Sequence, residues 1–254
     1  MTTPLFDELR AVVETGSRAV VFTIVAGENL GAKLLVHQDG RAVGDAPAEL
    51  ADLAPDALRT GRSHLLEHDG ATLFADVYGP PPRLLVYGAV DTAEALARAA
   101  TLLGWTTIVA DARGRFATKE RIPSADELLV EWPDETIARV RPDLGTAILV
   151  LTHDDKFDIP MLKAALASDA FYVGALGSRR NQERRRALLL EAGVPEADLE
   201  RIHGPAGLDV GAESPAETAL SMLAEILAVR VGRAGGPLRH ASTRIHAEPL
   251  AHQK

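Results

Sequence analysis

The sequence predicts an α/β protein in which a doubly wound parallel sheet follows a smaller, mostly β domain. Continuous apolar runs recur after residue 83, and such runs are typical of strands that are buried on both faces of a parallel sheet. Amphipathic helical patterns separate these runs. Residues before this region carry hairpin patterns instead, and the stiff segment Pro80-Pro81-Pro82 marks a boundary between the two regions.

The first region contains the patterns of a small β domain. Apolar residues at helical spacing predict a helix over 5–15, and a β-branched run predicts a strand over 19–26. Hairpins are predicted over 32–44 and 63–78, with a helix over 47–60 between them. We therefore expect a small N-terminal domain over 1–80.

The second region alternates strands with helices. Strands are predicted at 83–89, 105–111, 125–130, 146–152 and 171–176, and helices at 91–104, 134–140, 159–167, 181–193 and 214–232. Asp158 is predicted to cap its helix, and Ser214 with Pro215 to begin the last one. The alternation predicts a Rossmann-like domain over 83–232. Residues 233–254 lack apolar periodicity and are predicted to be a disordered tail.

Composition excludes several classes of function. The formal net charge of −9 argues against a general nucleic-acid binder, which presents a broad basic surface. The absence of cysteine excludes disulfides, thiolate metal sites and cysteine nucleophiles. No signal-peptide pattern or membrane-length apolar run is present. The sequence therefore predicts a cytoplasmic protein with no nucleic-acid partner, no membrane partner and no metal site.

Candidate binding residues follow the strands, because ligands of open parallel sheets bind at the carboxyl ends of the strands. Gly88 ends the first of these strands. A dinucleotide site would have glycine where this chain has Val90, and Asp91 adds a negative charge where a phosphate would lie. The turn at Gly88 is therefore interpreted equally well as an ordinary link between a strand and a helix.

Polar residues follow the next two long strands. Asp111 is placed to accept a hydrogen bond from a ribose hydroxyl and Arg113 to contact an anion, although a helix cap or a surface ion pair explains both residues equally well. His153, followed by Asp154, is a candidate for orienting a ligand or moving protons, since the pKa of an imidazole lies near neutrality.

The segment YVGALGSRRNQERRR, which begins at Tyr172, combines glycine with dense positive charge. Gly174 and Gly177 allow close approach of the backbone, Ser178 can cap the following helix, and Arg179 and Arg180 supply bidentate positive charge. Together they predict an anion pocket at a helix N-terminus. The remaining arginines of this segment, at 184, 185 and 186, are predicted to form a solvated helical face.

A glycine-rich loop over 204–211 leads into the last helix. We expect Asp209 and Gly211 in this loop to line the ligand, although such a loop also serves as a simple connector.

Four segments together resemble the XdhC/CoxI family of accessory proteins of molybdenum hydroxylases: LLVYGAVDTAEALARAATLLGWTTIVADAR, THDDKFD, YVGALGSRR and RIHGPAGLDVGAESPAETALSMLAEILAVR. The resemblance implies a Rossmann domain that binds the molybdenum cofactor, as molybdopterin or its nucleotide form. It further implies a homodimer that delivers this cofactor to the large subunit of a hydroxylase such as xanthine dehydrogenase or carbon monoxide dehydrogenase. Gly174, Gly177, Ser178 and Arg179 match the family's GALGSRR motif, and Asp209 and Gly211 match its GLDIGA-like loop.

Two segments depart from the family pattern. Gly44-Asp45-Ala46-Pro47 stands where the family has Gly-Gly-Cys, and Gly88-Ala89-Val90-Asp91 stands where it has Gly-Ala-Gly-His. These departures keep two alternatives open: an NAD(P)-dependent oxidoreductase, and a family member that regulates without binding the cofactor. No catalytic residue is assigned, and a cofactor-binding chaperone is favoured over a turnover enzyme.

Overall fold

A computed structural model of the protein describes residues 4–241. Two compact units divide these residues. One contains the described residues up to Pro80 together with those from Gly236, and the other spans Pro81–Gly235. Within residues 4–241, no helix combines the length and the apolar character that a membrane span requires.

The first unit is built on a five-stranded antiparallel sheet in the order β3-β2-β1-β5-β4. Its helices and strands are α1 (Pro4–Thr15), β1 (Ala19–Ala26), β2 (Lys33–His37), β3 (Ala42–Gly44), α2 (Ala54–Thr60), β4 (His64–His68) and β5 (Ala71–Tyr78). A 3₁₀ helix over Ala48–Leu53 leads into α2. The central strand β1 is buried on both faces over most of its length, so its β-branched run forms the middle of the sheet.

The segment that departs from the family's Gly-Gly-Cys pattern is held against β2. Gly44 leaves no room for a side chain, because an added Cβ would overlap the carbonyl oxygen of Lys33. The Asp45 carboxylate accepts a hydrogen bond of 2.8 Å from the Lys33 amide, and the Asp45 amide donates back to the Lys33 carbonyl at 2.9 Å. In this chain the segment therefore closes the edge of the β2–β3 hairpin.

The second unit is a six-stranded parallel sheet in the order β11-β10-β9-β6-β7-β8, with helices on both faces. Its strands are β6 (Arg83–Tyr87), β7 (Thr106–Ala110), β8 (Glu127–Leu129), β9 (Thr146–Val150), β10 (Tyr172–Ala175) and β11 (Ile202–His203). Its helices are α3 (Asp91–Leu102), α4 (Pro133–Val140), α5 (Asp155–Leu166), α6 (Arg179–Glu191), α7 (Glu196–Leu199) and α8 (Pro215–Arg230). Counted along the chain, the order is that of a dinucleotide-binding fold, with the switch point between β6 and β9.

Two apolar layers sandwich this sheet. One packs α3 and α8 on one face through residues such as Leu96, Met222 and Ile226. The other packs α5 and α6 on the opposite face through residues such as Met161 and Leu189. The predicted α/β class, with a doubly wound sheet and a smaller mostly β domain, is confirmed.

Helix α5 begins earlier than predicted. Asp154, not Asp158, is its N-cap, and the Asp154 carboxylate accepts from the Lys156 amide at 3.0 Å. The prediction was wrong because the Asp154 carboxylate already caps the helix four residues before Asp158. The short elements α7 and β11 were not predicted. Of the predicted tail, residues 242–254 lie outside the described residues, whereas Leu238–His240 in the described part form a short 3₁₀ helix.

Candidate functional site

Parallel pairing brings the candidate loops to one edge of the sheet. Tyr87 pairs with Ala110 and with Val150, and Val150 pairs with Ala175, so β6, β7, β9 and β10 end level with one another. Gly88, Asp111, His153 and Ser178 all lie just beyond these strand ends, and the loop with Asp209 follows β11. The sequence reasoning correctly placed these residues at the carboxyl edge.

Gly88 lies at the switch point, where the loops after β6 and β9 meet. Its φ of 117° favours glycine, and an added Cβ would lie 3.0 Å from the backbone at Leu151 and Thr152. Val90, two residues later, packs against the apolar layer under α3. The close approach of two backbones therefore accounts for the glycine at 88, independently of any ligand.

The Asp111 carboxylate is buried and fully engaged. It accepts from the Ala89 amide at 3.0 Å, from the Arg113 amide at 2.9 Å, and from Nε and Nη2 of the Arg113 guanidinium at 2.8 Å each. Burial raises the pKa of Asp111, but these donors hold it below its ordinary value. A ribose hydroxyl would have to displace one of these contacts, so the ion-pair interpretation describes Asp111 and Arg113.

His153 and Asp154 are both exposed beyond β9. His153 has a φ of 58°, in the left-handed region that few residues other than glycine adopt. Asp154 caps α5, as described above. The structure thus gives Asp154 a local role and leaves the imidazole of His153 turned out of the core.

Helix α6 begins at this edge with two consecutive arginines. The Ser178 hydroxyl caps the helix by accepting from the Asn181 amide at 3.3 Å, as predicted. Arg179 and Arg180 follow, both are exposed, and neither has a carboxylate within ion-pair distance among residues 4–241. The first turn of α6 contains no acidic residue. The two arginines therefore add to the partial positive charge that a helix N-terminus carries.

Arg185 corrects the prediction of a solvated arginine face. Its side chain is only 3% exposed and pairs with the completely buried Asp158. Arg185 Nη1 donates to the Leu176 carbonyl at 2.7 Å, and the Thr152 hydroxyl donates to Asp158. Gly177, with a φ of 140°, passes directly over this network. An added Cβ there would lie 3.3 Å from Arg185 Nη1, so the loops after β9 and β10 are joined by buried charge.

Of the other two arginines of this run, Arg184 is exposed and Arg186 is partly buried, and both are paired. Arg184 contacts Asp155 at 2.9 Å, and Arg186 contacts Glu196 and Glu200 at 2.9 and 3.0 Å. Gly174 lies buried inside β10 with an ordinary backbone, and an added Cβ there would meet Leu149 and the Tyr172 ring. Its glycine is thus required for packing.

The glycine-rich loop is held to α8 by hydrogen bonds from residues that were not predicted from the sequence. Glu225 accepts from the Gly207 amide at 2.8 Å and from the Tyr172 hydroxyl at 2.5 Å, and its other oxygen lies 3.5 Å from His203 Nδ1. Burial raises the pKa of Glu225, but the hydrogen bonds from His203, Tyr172 and Gly207 lower it below its ordinary value. The Ser221 hydroxyl donates to the Leu208 carbonyl at 2.5 Å.

Asp209 and Gly211, the predicted ligand-lining residues of this loop, are exposed beyond these anchors. Two cavities of about 240 and 490 Å³ open elsewhere in the unit. The smaller lies among α5, α6, α7 and β11, and the larger lies on the outer face of α3 and α8. Neither is lined by Gly88, Asp111, His153 or Asp209.

Comparisons with known proteins agree with this architecture. The XdhC Rossmann domain family matches residues 84–226. "Uncharacterized protein YqeB" of Escherichia coli (strain K12) is 34% identical over 72% of this chain and 32% of its own length. A probable xanthine dehydrogenase subunit of Bacillus subtilis (strain 168) is 32% identical over 66% of this chain and 49% of its own length. "Molybdenum cofactor insertion chaperone PaoD" of Escherichia coli (strain K12) is 30% identical over 61% of this chain and 42% of its own length.

The chain thus spans less than half of the length of these curated relatives. Among solved structures, one described as a xanthine dehydrogenase from Bacillus halodurans has a TM-score of 0.57 at 22% identity. That match covers 91% of this chain and 66% of the other. At this identity the likeness establishes the fold alone. The family match extends over more than half of the chain and covers all of the candidate residues at the sheet edge, so this chain belongs to the XdhC family.

Proposed function

We propose that this chain binds the molybdenum cofactor, as molybdopterin or its nucleotide form, and delivers it to a molybdenum hydroxylase. Membership of the XdhC family supports this role, as does the similarity to a protein named a molybdenum cofactor insertion chaperone. The cofactor is cargo in this proposal and the protein is its carrier. The large subunit of the hydroxylase is the proposed recipient, and the carrier is proposed to act as a homodimer.

One observation carries the proposal: α6 begins with two exposed arginines that have no acidic partner in the described chain. Positive side chains beside a helix N-terminus are repelled by its partial positive charge. A phosphate bound there is attracted both to the side chains and to the helix N-terminus, so the net electrostatic interaction becomes favourable. The cofactor carries such a phosphate. Ser178 would hold the helix start, and Arg179 and Arg180 would bind the phosphate oxygens.

The glycine-rich loop supplies a second wall in this proposal. Glu225 and Ser221 hold its backbone to α8 through Gly207 and Leu208, while Asp209 and Gly211 remain exposed. Their exposure leaves the carboxylate and the backbone amides of this turn free to meet polar groups of a pterin. His153 faces the same edge and is proposed to contact the ligand.

The test uses matched arginines of one helix. The double variant Arg179→Ala/Arg180→Ala should retain far less molybdopterin after gel filtration, whereas Arg184→Ala/Arg186→Ala should retain as much as the natural protein. Hydrogen bonds to a charged group contribute about 1.5–3 kcal/mol each, so the first variant should bind roughly 10- to 150-fold more weakly for each hydrogen bond removed. Equal retention by both variants would contradict the proposal.

The same preparation separates the alternatives. An NAD(P) oxidoreductase predicts enhanced nicotinamide fluorescence on titration with NADH or NADPH, which the engaged Asp111 carboxylate disfavours. A family member that has lost cofactor binding predicts that Val90→Gly/Asp91→His creates molybdopterin affinity that is absent in the natural protein. Binding by the natural protein at equal strength excludes this last alternative.

A further inference from the structure

We propose that the indole of Trp132, supported by the buried ring of Phe157, is a stacking platform for the planar ring system of the ligand. The ring is a pterin or a nucleobase, which share a flat heteroaromatic face. This inference rests on the function proposed above and specifies where the cargo's ring lies. Neither residue belongs to the motifs that predicted the phosphate site.

The position of both rings fits such a platform. Trp132 follows β8 and immediately precedes α4, and Phe157 lies in the first turn of α5, which follows β9. Both therefore lie at the carboxyl edge, where parallel sheets bind their ligands. Their ring centroids are 5.4 Å apart with the planes inclined at 50°, and Phe157 is only 6% exposed, so its buried ring supports the exposed indole of Trp132.

The indole of Trp132 is more exposed than its local structural role requires. Trp132 is 43% exposed, whereas the chain's other tryptophan, Trp105, is 5% exposed. The start of α4 is organised by the Trp132 backbone: its amide donates to Glu135 at 3.0 Å and its carbonyl accepts from the Thr136 amide at 2.8 Å. These contacts come from the Trp132 backbone and do not require an indole side chain.

Two cationic side chains lie against the two rings. Lys156 Nζ lies 4.8 Å from the Trp132 centroid and 5.5 Å from that of Phe157, and the Arg113 guanidinium lies 5.4 Å from Phe157. Lys156 has no carboxylate within ion-pair distance among the described residues, whereas Arg113 is neutralised by Asp111. A free ammonium beside an aromatic face suits a heterocycle whose carbonyl oxygens accept hydrogen bonds.

The platform and the phosphate site are within reach of one ligand. Helices α5 and α6 are neighbours, joined by the contact of Arg184 with Asp155 and by the buried pair of Arg185 with Asp158. Packed helices lie about 8–10 Å apart. A ring stacked on Trp132 lies beside the start of α5, because the Trp132 and Phe157 rings are 5.4 Å apart, and the start of α6 is one helix spacing further.

The experiment uses three probes: 6-hydroxymethylpterin, cytidine monophosphate and inorganic pyrophosphate. Calorimetric titration compares the natural chain with Trp132→Ala and Trp132→Phe. Stacking of a base on an aromatic side chain corresponds to roughly 5- to 150-fold in affinity. We expect that loss for the alanine variant with the heterocyclic probes only, little change for the phenylalanine variant, and unchanged pyrophosphate binding for both. The heterocycle that shows the larger loss identifies the ring as pterin or nucleobase.

A spectroscopic readout accompanies the titration. In a Trp105→Phe background Trp132 is the sole tryptophan, and its fluorescence should be quenched by the heterocycles and not by pyrophosphate. Unchanged heterocycle affinity in Trp132→Ala, with pyrophosphate binding that still depends on Arg179 and Arg180, overturns the platform and leaves the proposed function standing. Failure of all three probes to bind the natural chain overturns both.

Discussion

Replacing Arg185 with methionine should lower the free energy of unfolding far more than replacing its neighbour Arg184 with alanine. Arg185 is 3% exposed and its partner Asp158 is fully buried, so the methionine variant leaves a carboxylate inside the protein without its counter-ion. Removing one member of a buried ion pair costs about 3–5 kcal/mol. Arg184 is more than half exposed, and surface pairs such as its contact with Asp155 contribute about 0–1 kcal/mol.

Urea unfolding followed by circular dichroism measures this difference. In thermal unfolding, 3–5 kcal/mol corresponds to a loss of roughly 6–20 °C for a domain of this size. The double variant Asp158→Leu/Arg185→Met removes both charges and should recover much of the loss, because apolar pairs of similar volume often replace buried ion pairs without cost. Similar losses for Arg184→Ala and Arg185→Met, with unchanged denaturant dependence, would refute this reasoning.

Three further predictions concern the rest of the edge. Gly207→Ala should destabilise the protein by about 1–3 kcal/mol in urea unfolding, because φ is 116° and the new methyl would lie 2.6 Å from Ser221 Oγ. The control Gly211→Ala meets open space and should cost about 1 kcal/mol. Ser214→Ala should cost about 1 kcal/mol in thermal unfolding, because it removes the capping box of α8; no change would contradict that role. The pKa of Asp111 is lowered by folding, so its contribution is present above the unfolded pKa and is lost as pH falls through the folded one. Asp111→Asn should therefore flatten the acid side of the stability profile, and an unchanged profile would count against the ion pair.

The parallel sheet was predictable because its central strands are continuous apolar runs that alternate with amphipathic helices. The burial of Asp158 was not predictable, because an aspartate near a helix start is equally typical of an N-cap and its partner Arg185 lies 27 residues away. Arg185 was hidden among other arginines, although a signal existed: it lies four residues before the buried Leu189, which places both on one helical face. Periodicity, applied to charged residues as well as apolar ones, would have identified it.

The anchors of the glycine-rich loop carry no such local signal. Glu225 meets Tyr172 from 53 residues away and Gly207 from 18, so only the packing of α8 against the sheet brings them together. Trp132 is similar, because its contact with Phe157 depends on the packing of α4 beside α5. The binding roles of the residues at the carboxyl edge stay predictions, and the titrations described above address them.

The parallel sheet ends in very short strands on both sides, three residues in β8 and two in β11. Such short edge strands expose few unpaired peptide groups, so another chain has little template for extending the sheet by hydrogen bonding. Two copies of this unit are therefore expected to meet through helix surfaces. For the same reason, we expect these short edge strands to disfavour cross-β aggregation of the chain.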